Sequence, residues 1–372
     1  MLPQLPGHTR VIIRGTRAES IPHEGSRHTV SPKRAVAAWS AIVIAFCCTT
    51  PLPAQAPQSR IGPATVVMAR TERILIPPGW TAPEIFYPQG RIDYVPVSEI
   101  ITRALRHHTQ SPDPREYPWR NIASPRDRVG IQVDLTAPPV SRETINVIID
   151  GLVKSGVPDD NIIVYAGDER DLFNAGIALN RTGRGVRTMG SESEGFRGGL
   201  SRIILDYCTV IINVARLRAD RNLGMRGCVL GGLASVSYAE RVRLFSEPEQ
   251  LATAAANPVV RMKTRLHILE AYQPVLHDTG EKYPPVWEYR GVLMSPDPVA
   301  LDVTGMRLLS AKQMLGEHDL PDDHARPEVA LTYLHPASGD SLRLGQSDPD
   351  QITVELLGTD RDSLIQVHHI EP

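Results

Sequence analysis

The chain alternates short apolar runs with segments whose apolar residues recur every three or four positions, and the first run, Ala64 to Ala69, reads as a strand. The stretch 77–96 is rich in Pro and aromatic residues and reads as an irregular covering loop. Within 98–107, Ile101 and Leu105 sit four apart and predict a helix. The clearest unit spans 128–166: Val129 to Leu135 alternates as a strand, and Ser141 is placed to cap the helix that follows. Ile145, Ile148, Ile149, Leu152 and Val153 form its apolar stripe, Gly156 stops it, and Asn161 to Tyr165 is the next strand. Strand, helix and strand in so short a span make a right-handed crossover. Ligands of such sheets sit beyond the carboxyl ends of the strands, which here deliver Asp134 and the Gly167-Asp168 turn.

Further along, Tyr207 to Val214 predicts a strand followed by a glycine-rich segment, Arg216 to Leu233. Residues 248–276 read as helical with an interruption at Pro258, Arg290 to Met294 as a strand, and Pro298 to Leu315 as a helix with Asp297 at its cap. A polar linker, 317–327, precedes a closing strand at Ile352 to Leu356. The expected fold is α/β: a mixed, largely parallel sheet flanked by helices, in a single large domain.

The first 56 residues change the reading of the whole. Lys33 and Arg34 precede an uncharged, mostly apolar run from Ala35 to Cys48, and Ala54-Gln55-Ala56 supplies small residues at alternate positions. That is the pattern of an export signal, and fourteen helical residues would rise only about 21 Å, short of a membrane span. Residues 1–56 are therefore expected to be a leader and signal peptide, 57–358 the domain, and 359–372 a tail, with the protein periplasmic or secreted and without a stable membrane span after cleavage. Of 372 residues, 40 are basic and 42 acidic, so nothing points to nucleic acid. Only five are Lys (33, 154, 263, 282 and 312), a skew toward Arg that fits codon bias. Removal of the leader leaves Cys208 and Cys228, which an oxidising compartment would allow to pair, although Cys208 lies in an apolar run that suits a buried thiol.

Several segments, in order, resemble the domain of unknown function 362 family of prokaryotic α/β proteins. They are Arg128 to Leu135, Gly156 to Val164, Asp171 to Gly176, Ile211 to Val214, Lys263 to Ile268, and above all Gly291-Val-Leu-Met-Ser-Pro-Asp-Pro-Val-Ala-Leu-Asp302. The closing run from Tyr333 to Ile352 also fits, so the resemblance covers roughly residues 61–358. It implies an α/β fold, export in some members, and ferredoxin-type clusters in others. No Cys-x-x-Cys spacing occurs in this chain, so no iron–sulfur cluster is expected. The family pattern places Lys and His after the strand matching Ile211 to Val214, then a Lys-Asn pair. Here those positions are Arg218 and Asp220, then Leu230 and Gly231, so the roles of that Lys and His do not carry over.

The candidate chemistry is anion binding. Arg216, Arg218, Arg221 and Arg226 surround the glycine-rich turn, and guanidinium groups grip carboxylate and phosphate in bidentate fashion. The plainer alternative is internal pairing with Asp206 and Asp220. The glycines match no phosphate-loop or dinucleotide fingerprint. Asp297 and Asp302 would share an oxygen-ligated cation with Asp134 or Asp168 if they converged; otherwise Asp297 caps a helix and Asp302 pairs with an arginine. His267, in an apolar run, reads as a satisfied core residue before a general base. Gly-x-Ser-x-Gly is absent. The expected ligand site is thus Arg216, Arg218, Arg221, Asp297, Asp302, Asp134 and Asp168, holding a small anionic ligand, with no metal among the expectations. The competing reading is a catalytically silent binding or scaffold protein that keeps the fold.

Overall fold

Runs that bury both faces become central strands here, and the run after Ala64 is the first of them. The computed structural model describes residues 62–76, 91–111, 113, 117–136, 138–280, 284, 286–316, 326–358 and 364–370. All belong to one compact unit, Ala54–Pro372. The expected export signal, residues 77–90 of the covering loop and the linker at 317–325 lie outside the described residues.

β1 (Ala64–Arg70) leads to α1 (Tyr94–His108), which begins four residues earlier than its periodicity suggests because Asp93 caps it, accepting from the Val95 N–H. β2 (Val129–Val133), α2 (Arg142–Lys154) and β3 (Ile162–Ala166) form the expected crossover, with Ser141 capping α2 at Thr144 and Gly156 ending it at a φ of 100°. α3 (Glu169–Asn174) and β4 (Arg187–Gly190) follow, then a separate hairpin of β5 (Phe196–Arg197) and β6 (Leu200–Ser201).

β7 departs from expectation. Tyr207 lies in a π-turn, and the strand runs from Val210 to Asp220, through the segment read as a glycine-rich loop. β8 (Gly224–Arg226) folds back on it, and α4 (Cys228–Gly231) and α5 (Tyr238–Phe245) come next. The region 248–276 is helical only in part. After α6 (Thr253–Ala256) and α7 (Pro258–Lys263), residues Thr264–Val275 form the long strand β9. A continuous apolar run does not itself distinguish a buried helix from a strand buried on both faces, and β9 is the latter. β10 (Gly291–Ser295), α8 (Pro298–Gly316), α9 (Leu331–Ser338) and β11 (Ile352–Leu357) complete the expected order. β12 (His368–Ile370) pairs with β11, so part of the expected tail joins the sheet.

The result is a single mixed α/β domain. Its ten-stranded sheet has the order β12-β11-β1-β10-β9-β7-β2-β3-β4, with β8 beside β7. Along that order only β10 runs against its neighbours. Alternation divides the side chains: Ile131, Ile212 and Ile268 face the core shared with α1 and α2, whereas Ile211, Ala215 and Leu269 face the core beneath α4 and α8. Cys208 and Cys228 are buried and not bonded to each other.

Candidate functional site

The reversal of β10 decides which expected residues meet. Ser295 pairs with His267 near the start of β9, so Asp297 emerges at the sheet end opposite to the carboxyl ends of β2, β3 and β7. There its carboxylate caps α8, accepting from Val299 and Ala300 at 2.9 Å each, and it also accepts from Gln346 N–H at 2.8 Å. Asp302 is fully buried and accepts the N–H groups of Cys228 and Val229 at 2.6 and 2.8 Å. It thus caps α4 and does not pair with an arginine. Burial pushes its carboxyl up to about 7, against the pull of those two N–H donors. Neither residue approaches Asp134 or Asp168, and among the described residues no three His, Cys, Asp or Glu side chains are grouped to hold a metal.

The arginines are redistributed as well. Arg216 and Arg218 are alternate residues of β7 and share one face, with Arg216 opposite Glu270 on β9. Arg216 donates to the carbonyls of Gln273 at 2.7 Å and Pro139 at 3.3 Å. Glu270 accepts from Ser141 and Thr144; burial raises its carboxyl while Arg216 and these donors draw it back. Arg218 is buried against Thr136 and lies 3.9 Å from Asp134, and Arg221 turns away to Asp278. Of the expected triad, Arg216 and Arg218 are therefore spent inside the fold and Arg221 on a surface contact with Asp278. Asp206 pairs with Arg197 and Arg202, and Asp220 with Arg226 at 2.6 Å.

The glycines serve close packing. A Cβ at Gly227 would fall on the Asp302 carboxylate, and one at Gly231 on the Asn213 amide, so both residues let α4 settle on the sheet.

What does form at the strand ends is a cleft of about 510 Å³ lined by Asp134, Asp168, Asp171, Arg170, Arg226 and Arg241, among others. Asp134 and Asp168 are thus brought to one site as expected. Asp168 caps α3 and is held below the usual carboxylate range by its bonds to Arg170, against partial burial. Asp171 is raised by burial and by the neighbouring charges of Asp168 and Asp134. Arg226 sits near Phe245 and keeps its bond to Asp220.

Arg241, on α5, was not among the expected residues. Its Nη1 packs on Gly167, where any Cβ would collide with it, and none of its guanidinium donors is committed to a described residue by a hydrogen bond. Asp168 and Asp171 feel its charge. In the sequence it stands in an ordinary polar helix, Tyr238-Ala-Glu-Arg-Val-Arg, and only the fold aims it across the Gly167 turn.

Compared with family models and with curated proteins, the chain matches none. A crystal structure of a Thermotoga maritima protein from a structural-genomics consortium is similar over 70% of this chain and 87% of that one, at 9% identity and a TM-score of 0.33. Among the described residues, no helix is long and apolar enough to cross a membrane.

Proposed function

We propose that this chain is an exported, divergent relative of the domain of unknown function 362 family that binds a small anionic ligand in the cleft beyond β2 and β3. The observation that carries the reading is the Arg241 guanidinium, set on Gly167 and near the Tyr238 ring at the cleft, with none of its donors hydrogen-bonded to a described residue. Guanidinium groups placed this way grip carboxylate or phosphate. Asp134 and Asp171 in the same cleft suit a ligand that also carries hydroxyl or amine donors. Gly167→Ala offers a delicate probe: the added methyl meets the far end of the long Arg241 side chain and not backbone, so it displaces the arginine at little cost in stability.

Thermal-shift measurements with glutamate, phosphoserine and inorganic phosphate test the proposal. At 100 times its dissociation constant, a ligand stabilises the fold by about 2.7 kcal/mol. Arg241→Met and Gly167→Ala should each remove that gain without lowering the melting temperature of the unliganded protein by more than a few degrees. The internal pairing of Arg216, Arg218 and Asp302 favours the second reading, a silent scaffold; under it no probe raises the melting temperature. N-terminal sequencing of protein from the periplasmic fraction tests export, which requires a start after the segment Lys33 to Ala56.

A further inference from the structure

A row of buried polar side chains crosses four neighbouring strands under the α4 face of the sheet. Tyr165 on β3 pairs in register with Gln132 on β2, Gln132 with Asn213 on β7, and Asn213 with His267 on β9. Gln132 and Asn213 are 2% exposed and His267 7%. The direction of every hydrogen bond in the row follows from one group that only accepts, the Cys228 carbonyl, 2.7 Å from Asn213 Nδ2. Asn213 Oδ1 must then accept from Gln132 Nε2 at 3.2 Å, which turns Gln132 Oε1 to the Tyr165 hydroxyl at 2.9 Å. The second Asn213 N–H points at His267 Nδ1, 2.9 Å away. Nδ1 is therefore an acceptor, and the ring proton sits on Nε2.

His267, Asn213 and Gln132 form part of the wall of a cavity of about 430 Å³, separate from the Arg241 cleft and reaching the opposite end of the sheet. Arg261, Arg265 and His108 also line it, and no Asp or Glu does so among the described residues. Nε2–H of His267 is received by no described residue, and neither is the second N–H of the Gln132 amide, which lines the same cavity. Burial alone presses His267 down to about 3, so the ring remains a neutral donor at any physiological pH.

We infer that this cavity is a second binding site, for a small organic acid whose carboxylate is drawn by Arg261 and Arg265 and whose acceptor oxygen is read by the Nε2–H of His267. The two sites differ in chemistry. The Arg241 cleft mixes arginines with three carboxylates, whereas no carboxylate among the described residues lines this cavity; Arg265 there donates to the Ile122 carbonyl at 2.8 Å and has Asp127 3.7 Å away behind the wall, so the cavity offers basic and neutral donors and takes ligands without cationic groups. Its volume suits a molecule of a few carbon atoms to small-metabolite size.

Side-chain ¹⁵N spectra of His267, recorded while malonate or succinate is titrated into the full chain, test the inference. The ring should show the neutral tautomer with its proton on Nε2, and that nitrogen's resonance should move as the acid binds. Arg265→Met should weaken binding about tenfold or more, as loss of a charge-assisted contact does. His267→Gln, which keeps one acceptor and one donor, should hold affinity within a few-fold, while Arg241→Met leaves it unchanged. A proton on Nδ1, a resonance unmoved by either acid, or binding abolished by Arg241→Met and indifferent to Arg265→Met would each overturn it. Failure of the Arg241 proposal alone would leave these results intact.

Discussion

Asn213→Leu is expected to lower the free energy of unfolding by about 3 kcal/mol or more, although the substitution adds apolar volume to an apolar core. Asn213 satisfies three buried groups at once: the Gln132 amide N–H, the Cys228 carbonyl and His267 Nδ1. Each loses its partner when the amide is removed, and a buried donor or acceptor left unmade costs about 1–3 kcal/mol. Transfer of the larger side chain does not compensate on the α4 side, where even a Cβ at Gly231 would fall on the amide. Urea denaturation should show the midpoint falling with an unchanged slope. Because the row is continuous, Gln132→Leu combined with Asn213→Leu should cost less than the sum of the two alone. A loss below about 1 kcal/mol for Asn213→Leu would mean that the row contributes little to holding the sheet together.

The second large effect is a pair of opposing pH dependences. His267 is pressed from 6.5 to about 3 by burial, so the unfolded chain takes up a proton below pH 6.5 that the folded chain refuses until about pH 3. Stability from this group is present above pH 6.5 and is lost as pH falls toward 3, by about 5 kcal/mol in all. Asp302 runs the other way. Its carboxyl is raised from 3.8 to about 7, so the folded chain retains a proton that the unfolded chain has released, and stability falls as pH rises from 3.8 to 7, by about 4 kcal/mol. Between about pH 4 and 6.5 the two slopes nearly cancel, each near 1.4 kcal/mol per pH unit. Single substitutions should therefore unmask them. His267→Gln should make stability fall with rising pH across that window. Relative to wild type, the Asp302→Asn curve should rise with pH, on top of a uniform loss from the second backbone N–H that an amide oxygen cannot accept. Glu270 and Asp297, both raised by burial, add to the Asp302 side and are present in every variant, so difference curves isolate the two groups. Parallel stability curves for wild type and both variants would refute the assignment.

The fold was legible where periodicity and punctuation agree. Ser141, the stripe from Ile145 to Leu152 and Gly156 define α2, and Asp297 marks the start of α8. Legibility failed where strands are buried on both faces. β9 shows no alternation of apolar and polar residues because α7 leads directly into it and both its faces are covered, so its sequence looked like continued helix. The same blindness hid the length of β7, and with it the placement of Arg216 and Arg218 as buried strand residues.

Of the expected ligand residues, Asp134 and Asp168 meet at one cleft because the rule about strand carboxyl ends is topological and needs only the crossover. Asp297 caps α8 as its position before the helix suggests, but its place at the far end of the sheet went unread because no local pattern announces that β10 runs backwards, and Asp302 accepts from α4 instead of pairing with an arginine. Arg241 had no signal of its own. The polar row did carry one: Gln132, Asn213 and His267 each interrupt an apolar strand run, and a lone polar residue in such a run is costly unless paired. Taken singly, each reads as a core exception; only the register shows that they are one feature.

The most direct test is a calorimetric titration of glutamate, phosphoserine and inorganic phosphate into wild type and Arg241→Met, with the Arg265→Met protein as control. Saturable one-site binding of at least one probe is predicted for wild type and Arg265→Met, with the heat abolished in Arg241→Met at unchanged folding stability. Equal binding by wild type and Arg241→Met, or no heat from any probe with wild type, would contradict an anion site at the Arg241 cleft.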